Sequence, residues 1–166
     1  QIMKELGLID LFTHYKNIYK IEFDLVGFLR LLIYGRILNP ASKIATVNQN
    51  DDYYDPIIKN PYEFNVYDTL DFVYKYRKTI FNKLNKVMVD KFNRQSSLVF
   101  YDVTNFYFET EDPDDDDGVR QMGVSKEERK LPIVQMGMFM DENGLPISIE
   151  MFKGNTLDHQ TVTSAL

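Results

Sequence analysis

Leu98-Val99-Phe100-Tyr101-Asp102-Val103 decides how this chain is read. It is a run of strand-forming apolar residues with one acid inside it. A carboxylate among such residues is costly to bury without compensation. It persists where a metal ion, a basic side chain or several amide donors meet it. A strand-borne Asp facing a groove can ligate Mg2+, which prefers hard oxygens and keeps several waters. Two such ions about 4 Å apart activate a nucleophile at a phosphodiester and stabilise the leaving oxygen. The plainer alternative is that Asp102 ends the strand and accepts backbone amides in a turn with Thr104 and Asn105. One acid by itself never makes a metal site.

Upstream of this run the texture is helical. Met3 to Tyr15 is a short amphipathic segment. Phe23 to Leu38 is apolar nearly all round, so neighbours must cover it, and Gly27 and Gly35 allow close approach. Asn39-Pro40 stops that helix, and Pro40-Ala41-Ser42 opens another through about Gln49. Residues 50–66 read as loop. A long helix is expected from about Asp68 to Phe92, with Val73, Ile80, Leu84, Val87 and Met88 as its buried stripe. Asn93 to Ser96 breaks it.

Downstream the period changes. A polar stretch over 109–130 is too long for a tight turn and is expected to be weakly ordered. Leu131 to Met140 and Leu145 to Phe152 read as strands, joined by Asp141-Glu142-Asn143-Gly144. Asn-Gly between apolar runs is a strong hairpin signal. Phe152 to Thr156 is a turn, and Thr156 or Asp158 is placed to cap a final helix. The fold class expected is therefore α+β, with a helical domain over 1–95 and a strand-rich domain over 96–166.

Composition sets limits. The 166 residues include 12 Phe and 11 Tyr but no Cys, which excludes disulfides and thiolate metal sites and fits a reducing cytoplasm. No signal peptide or membrane span is legible. The start at Gln1 and the end inside helical texture read as a piece cut from a longer protein. Net charge is −6, unevenly spread: residues 1–96 carry 14 Lys and Arg against 11 Asp and Glu, and residues 97–166 carry 5 against 14. The overall figure argues against nucleic acid, but it describes no single surface.

Several other residues can carry function. Arg120, Lys126, Arg129 and Lys130 are the basic cluster of the acidic half and suit phosphate contacts. The alternative is a solvated loop in which they pair with Glu127 and Glu128. Lys153 and Asn155, flanking Gly154 at a strand end, can reach a phosphate or a base. The alternative there is a plain turn in which Gly supplies a positive φ. Asp114 to Asp117 fails the calcium-loop register, and its self-repulsion is expected to keep it extended. His14 and His159 stand alone. The face with Phe72, Tyr74, Tyr76 and Arg77 can stack on bases, or serve as core.

Tyr101-Asp102-Val103-Thr104 followed by Phe106-Tyr107-Phe108 resembles the first catalytic block of DDE-class insertion-sequence transposases of bacteria. Four further segments are similar to that family in the same order: Arg36 to Lys43, Gly123-Val124-Ser125-Lys126 with its basic followers, Gly144-Leu145-Pro146, and Gly154-Asn155-Thr156-Leu157-Asp158. The resemblance implies a ribonuclease-H-like domain, present here only as its three leading antiparallel strands. It implies Asp102 as the first of three carboxylates that hold two Mg2+ or Mn2+ ions. The second Asp and the Glu would lie beyond Leu166, so this piece is expected to be inactive alone. DNA is the implied partner, the location is the bacterial cytoplasm at the nucleoid, and a homodimer is allowed. A non-catalytic α+β DNA-binding or assembly module is the alternative. Missing strands would leave an open sheet edge that favours self-association.

Overall fold

The helical texture of the first half resolves, in a computed structural model, into α1 (Ile2–Glu5), α2 (Leu8–Ile18), α3 (Leu25–Leu38), α4 (Lys43–Asn48), α5 (Asn65–Lys75) and α6 (Arg77–Phe92). The strands are β1 (Val99–Tyr107), β2 (Ile133–Asp141) and β3 (Pro146–Lys153). The residues described are 1–110, 112–123, 131–157 and 160–162. The chain is thus mixed α+β and divides into two units, Gln1–Lys91 and Phe92–Leu166. The division falls a few residues before the expected one, because Arg94 is bound to the sheet.

In the first unit α3 is the shared element. Its Leu25 and Leu29 pack with Met3, Phe12 and Ile80, while its Phe28 and Leu31 pack with Val47, Ile58 and Val66. Two cores on two faces explain why this helix is apolar nearly all round. Each fully buried Leu or Phe here contributes roughly 1.5–3 kcal/mol. Close approach is real at both glycines: a Cβ at Gly35 would meet the Thr46 methyl, and one at Gly27 would meet Ile58. Asp24 caps α3 by accepting the Gly27 amide at 3.0 Å, and Ser42 caps α4 by accepting the Ala45 amide at 3.2 Å. The buried Asn50 carboxamide meets the Ile58 backbone at both ends, at 2.9 and 3.0 Å, and pins the loop that follows α4.

Two expected helices are each divided. Gly7 at φ 71° separates α1 from α2. The long helix expected from Asp68 to Phe92 is α5 and α6, parted at Tyr76, whose ψ of 11° leaves the α region. Tyr76 is held there by rings: Phe72 lies 4.5 Å away, Tyr15 4.9 Å and Tyr19 5.3 Å between centroids. Its hydroxyl pKa is pushed up to about 12, first by the hydrogen bond with Tyr19 and then by burial. Phe72 and Tyr76 are therefore spent inside the unit, whereas Tyr74 is exposed with the Arg77 guanidinium 4.3 Å over its ring.

In the second unit the strand order is β1-β2-β3, antiparallel throughout. Asp102 lies opposite Met138, and Val134 lies between Phe106 and Lys153. Between β2 and β3 the Asn-Gly turn forms, but not as two residues of positive φ: Gly144 alone takes φ 75°. Asp141 supplies the rest. Its Oδ1 accepts the amides of Asn143 and Leu145, each at 2.9 Å, and its Oδ2 lies 2.7 Å from Arg94 Nε. These side chains are 1% and 5% exposed.

The Leu145 amide first, then the Asn143 amide and Arg94, hold the Asp141 carboxyl below its ordinary 3.8. Because the folded value is depressed, the unfolded chain binds the proton more readily. The stabilisation is complete above the unfolded value and is lost as pH falls from about 3.8 through the folded value. Thermal melts between pH 5 and about pH 2 should show the β unit weakening over that window, and Asp141→Asn should flatten the slope. An unchanged slope in the variant would assign the acid sensitivity elsewhere.

Candidate functional site on the sheet

Alternation along β1 puts Phe100, Asp102, Thr104 and Phe106 on its more open face, and Tyr101, Val103, Asn105 and Tyr107 on its half-buried face. Cross-strand partners share a face, so Asp102 stands among Met136, Met138 and Met140 of β2. Phe100 and Phe106 flank it and remain 50% and 44% exposed. The Asp102 carboxylate is itself exposed, and among the described residues no cation lies within ion-pair distance. It is neither a turn-closing residue nor a strand end, since β1 continues five residues past it.

Two of the basic candidates, Arg120 and Lys153, meet elsewhere, at the end of the sheet where β1 finishes and β2 begins. There residues 112–121 form a closed loop, not the extended one that charge repulsion suggested. Arg120 pairs with Asp114 at 2.8 Å, the Arg120 amide donates to the same carboxylate at 3.0 Å, and the Asp114 amide donates to the Arg120 carbonyl. Inside the loop the Gln121 carboxamide donates to the carbonyls of Asp114, Asp115 and Gly118. Gln121 also exchanges both backbone bonds with Ile133, which ties the loop to β2 beyond the end of β3. Local amide bonding outweighs the repulsion because the other Asp side chains point to water, where screening is strong.

Lys153 closes the arrangement by donating from Nζ to the Asp116 carbonyl at 2.6 Å. The Arg120 guanidinium lies 5.6 Å over the Phe108 ring. Lys153 and Arg120 are thus brought to one loop, with their charges already engaged. Asn155 is exposed beside them. Lys126, Arg129 and Lys130 lie outside the described residues, as do Asp158 and His159.

Sequence reasoning missed three residues that order this unit: Arg94, Asp141 and Gln121. An Asp immediately before Glu-Asn-Gly was a signal for a side-chain-closed turn. Nothing local marked Arg94, whose partners lie 47 and 52 residues on, and no turn motif marked Gln121, although its carbonyl partners are only 3 to 7 residues back.

Among the described residues no group of three His, Cys, Asp or Glu is arranged to hold a metal ion. None of the described helices is long and apolar enough to cross a membrane. No family model, no curated protein and no solved structure matches this chain.

Proposed function

We propose that this chain is the opening part of a DDE-class insertion-sequence transposase, its strands being the first three of a ribonuclease-H-like domain. In this reading Asp102 is the first of three metal-binding carboxylates. One observation carries it. Asp102 stands exposed in the middle of the first strand of an antiparallel three-stranded sheet, unmet by any cation among the described residues. Asp is depleted in strands, and here it stands among Phe100, Phe106 and the Met side chains of β2 without closing a turn. Asp141, at the end of β2, shows what a structural role looks like: it is buried, amide-bonded and ion-paired.

The described residues supply one carboxylate, which does not hold Mg2+ or Mn2+ by itself. The second Asp and the Glu would come from sequence beyond Leu166. DNA contacts would fall to Lys153, Asn155 and Arg120, with Lys126, Arg129 and Lys130. Lys153 and Arg120 would have to exchange their present partners for phosphate oxygens.

The test is strand cleavage of element-end DNA by the full-length gene product in Mg2+. Asp102→Asn keeps size and exposure, and should reduce cleavage roughly a hundred- to a thousandfold, as expected for losing several kcal/mol of charge stabilisation. Cleavage at the wild-type rate would overturn the reading. The internal pairing of Arg120 and Lys153 favours a second reading, a non-catalytic assembly module. That reading expects no cleavage from the unmodified protein.

A further inference from the structure

We propose that the aromatic row Tyr62, Phe64 and Tyr67 at the start of α5 is a docking surface for an arginine-bearing segment of a partner protein. The backbone there is held from within. Ile58 before the row and Val66 inside it are buried in the core beside α3, and Asn50 binds Ile58 at both of its polar backbone groups. The amides of Asn65, Val66 and Tyr67 donate to the carbonyls of Tyr62, Glu63 and Phe64, which winds the chain into α5. Val66 takes the inward place, and the three rings stay 63%, 53% and 44% exposed. They touch in sequence, with centroids 5.6 Å apart from Tyr62 to Phe64 and 6.4 Å apart from Phe64 to Tyr67. A single exposed ring is ordinary, but rings that form a continuous patch in water mark an interaction surface.

Charge says what the patch takes. Residues 48–71 hold six Asp and Glu against one Lys, whereas the remainder of 1–96 holds thirteen Lys and Arg against five acids. The acidity of an otherwise basic unit is thus gathered in the stretch that carries the rings. Asp68 and Asp71 are exposed on α5, and Asp51 and Glu63 line a pocket of about 390 Å³ that Tyr62 also lines. A surface of this sign repels nucleic-acid phosphates and attracts cations.

Rings and carboxylates together favour one kind of cation. A guanidinium is planar and weakly hydrated, so it stacks on an aromatic face while its fork donates to a carboxylate. An ammonium holds its water more firmly and has no flat face to stack. The chain itself shows the mode at the other end of α5, where the Arg77 guanidinium lies 4.3 Å over the Tyr74 ring. An incoming arginine can stack on the row and reach the carboxylate of Glu63 or Asp51 in the adjoining pocket. The inference concerns the helical unit alone and does not rest on the transposase reading.

Fluorescence anisotropy of a labelled nonaarginine peptide, titrated with the 166-residue chain at about 150 mM salt, tests it. Phe64→Ser with Tyr67→Ser removes two exposed rings and no charge, and should weaken binding roughly five- to thirtyfold. Phe64→Tyr with Tyr67→Phe keeps both rings and should bind as the wild type does. A nonalysine peptide has the same charge and should bind severalfold more weakly. Amide shifts caused by the arginine peptide should centre on residues 48–71 and not on the acidic loop 112–117. Arginine binding that survives loss of the rings, equal binding of the two peptides, shifts centred on that loop, or no binding at about 1 mM would each overturn the proposal. So would a single-stranded oligonucleotide that binds at the rings, or a self-associating wild type that the Ser variant leaves monomeric, since each names a different occupant.

Discussion

Gly154→Ala should loosen the loop end of the sheet far more than the removal of a glycine from a turn. Gly154 follows β3, and a Cβ there would overlap the carbonyl oxygens of both Ile133 and Gln121. Those oxygens belong to the reciprocal Gln121–Ile133 bridge, and the Gly154 amide itself donates to Val119 at 3.0 Å. Three backbone segments therefore meet where a hydrogen now sits, and none is the movable end of a side chain. Relief requires one segment to withdraw and break its bonds. A cost of about 3 kcal/mol is expected, which lowers the melting temperature of a unit this size by roughly 10–20 °C. Gly144→Ala is the control. Gly144 has φ 75° with open space around it, so its cost is conformational, about 1 kcal/mol. Denaturant titration, with hydrogen exchange read at Gln121 and Ile133, separates the two. Gly154→Ala no worse than Gly144→Ala would mean the junction yields freely.

That contrast bears on what could be read in advance. Gly154 was legible as a turn glycine, and a positive φ was the reason on offer. The requirement is instead for space, which depends on a loop some thirty residues upstream. Local chemistry was read well: the Asn-Pro stop after α3, the Ser42 cap, the apolar girth of α3, the change of period near residue 98 and the hairpin with its glycine. These rest on side-chain period and φ/ψ preference, which act over a few residues. The division at Tyr76 was not legible, because it is imposed by Tyr15 and Tyr19 on another helix.

The same distinction holds for the candidate site. Asp102 stood out because an acid within an apolar strand is unusual over any six-residue window. Its exposure and its place at one end of the described strand order depend on how β1 pairs, which the sequence did not specify. The acidic stretch 112–117 was read by its charge alone, and charge favoured extension. Its closure depends on Gln121 and Arg120 folding back to carbonyls and a carboxylate, a set of short-range bonds that composition does not reveal.

Arg94→Ala should be the most destabilising side-chain truncation outside the apolar cores. Arg94 joins the segment before β1 to the hairpin at two points: Nε lies 2.7 Å from Asp141 Oδ2, and Nη2 donates to the Pro146 carbonyl at 3.2 Å. Truncation leaves a carboxylate that is 1% exposed with amide donors on one oxygen and no cation near the other. Removing one partner of a buried pair is far costlier than replacing both. The melting temperature of the β unit should fall by roughly 10–20 °C at neutral pH. Arg94→Lys should recover only part of this, because one ammonium cannot copy a planar fork that serves two acceptors. The decisive reading is the pH dependence. If the loss comes from an uncompensated Asp141 charge, the gap between wild type and Arg94→Ala must narrow as pH falls below about 3.8, where the carboxyl takes up its proton. In an Asp141→Asn background the same truncation should cost much less. A deficit that is constant with pH and unchanged in that background would show that Arg94 acts through packing of its stem, and the charge argument for the hairpin would fall.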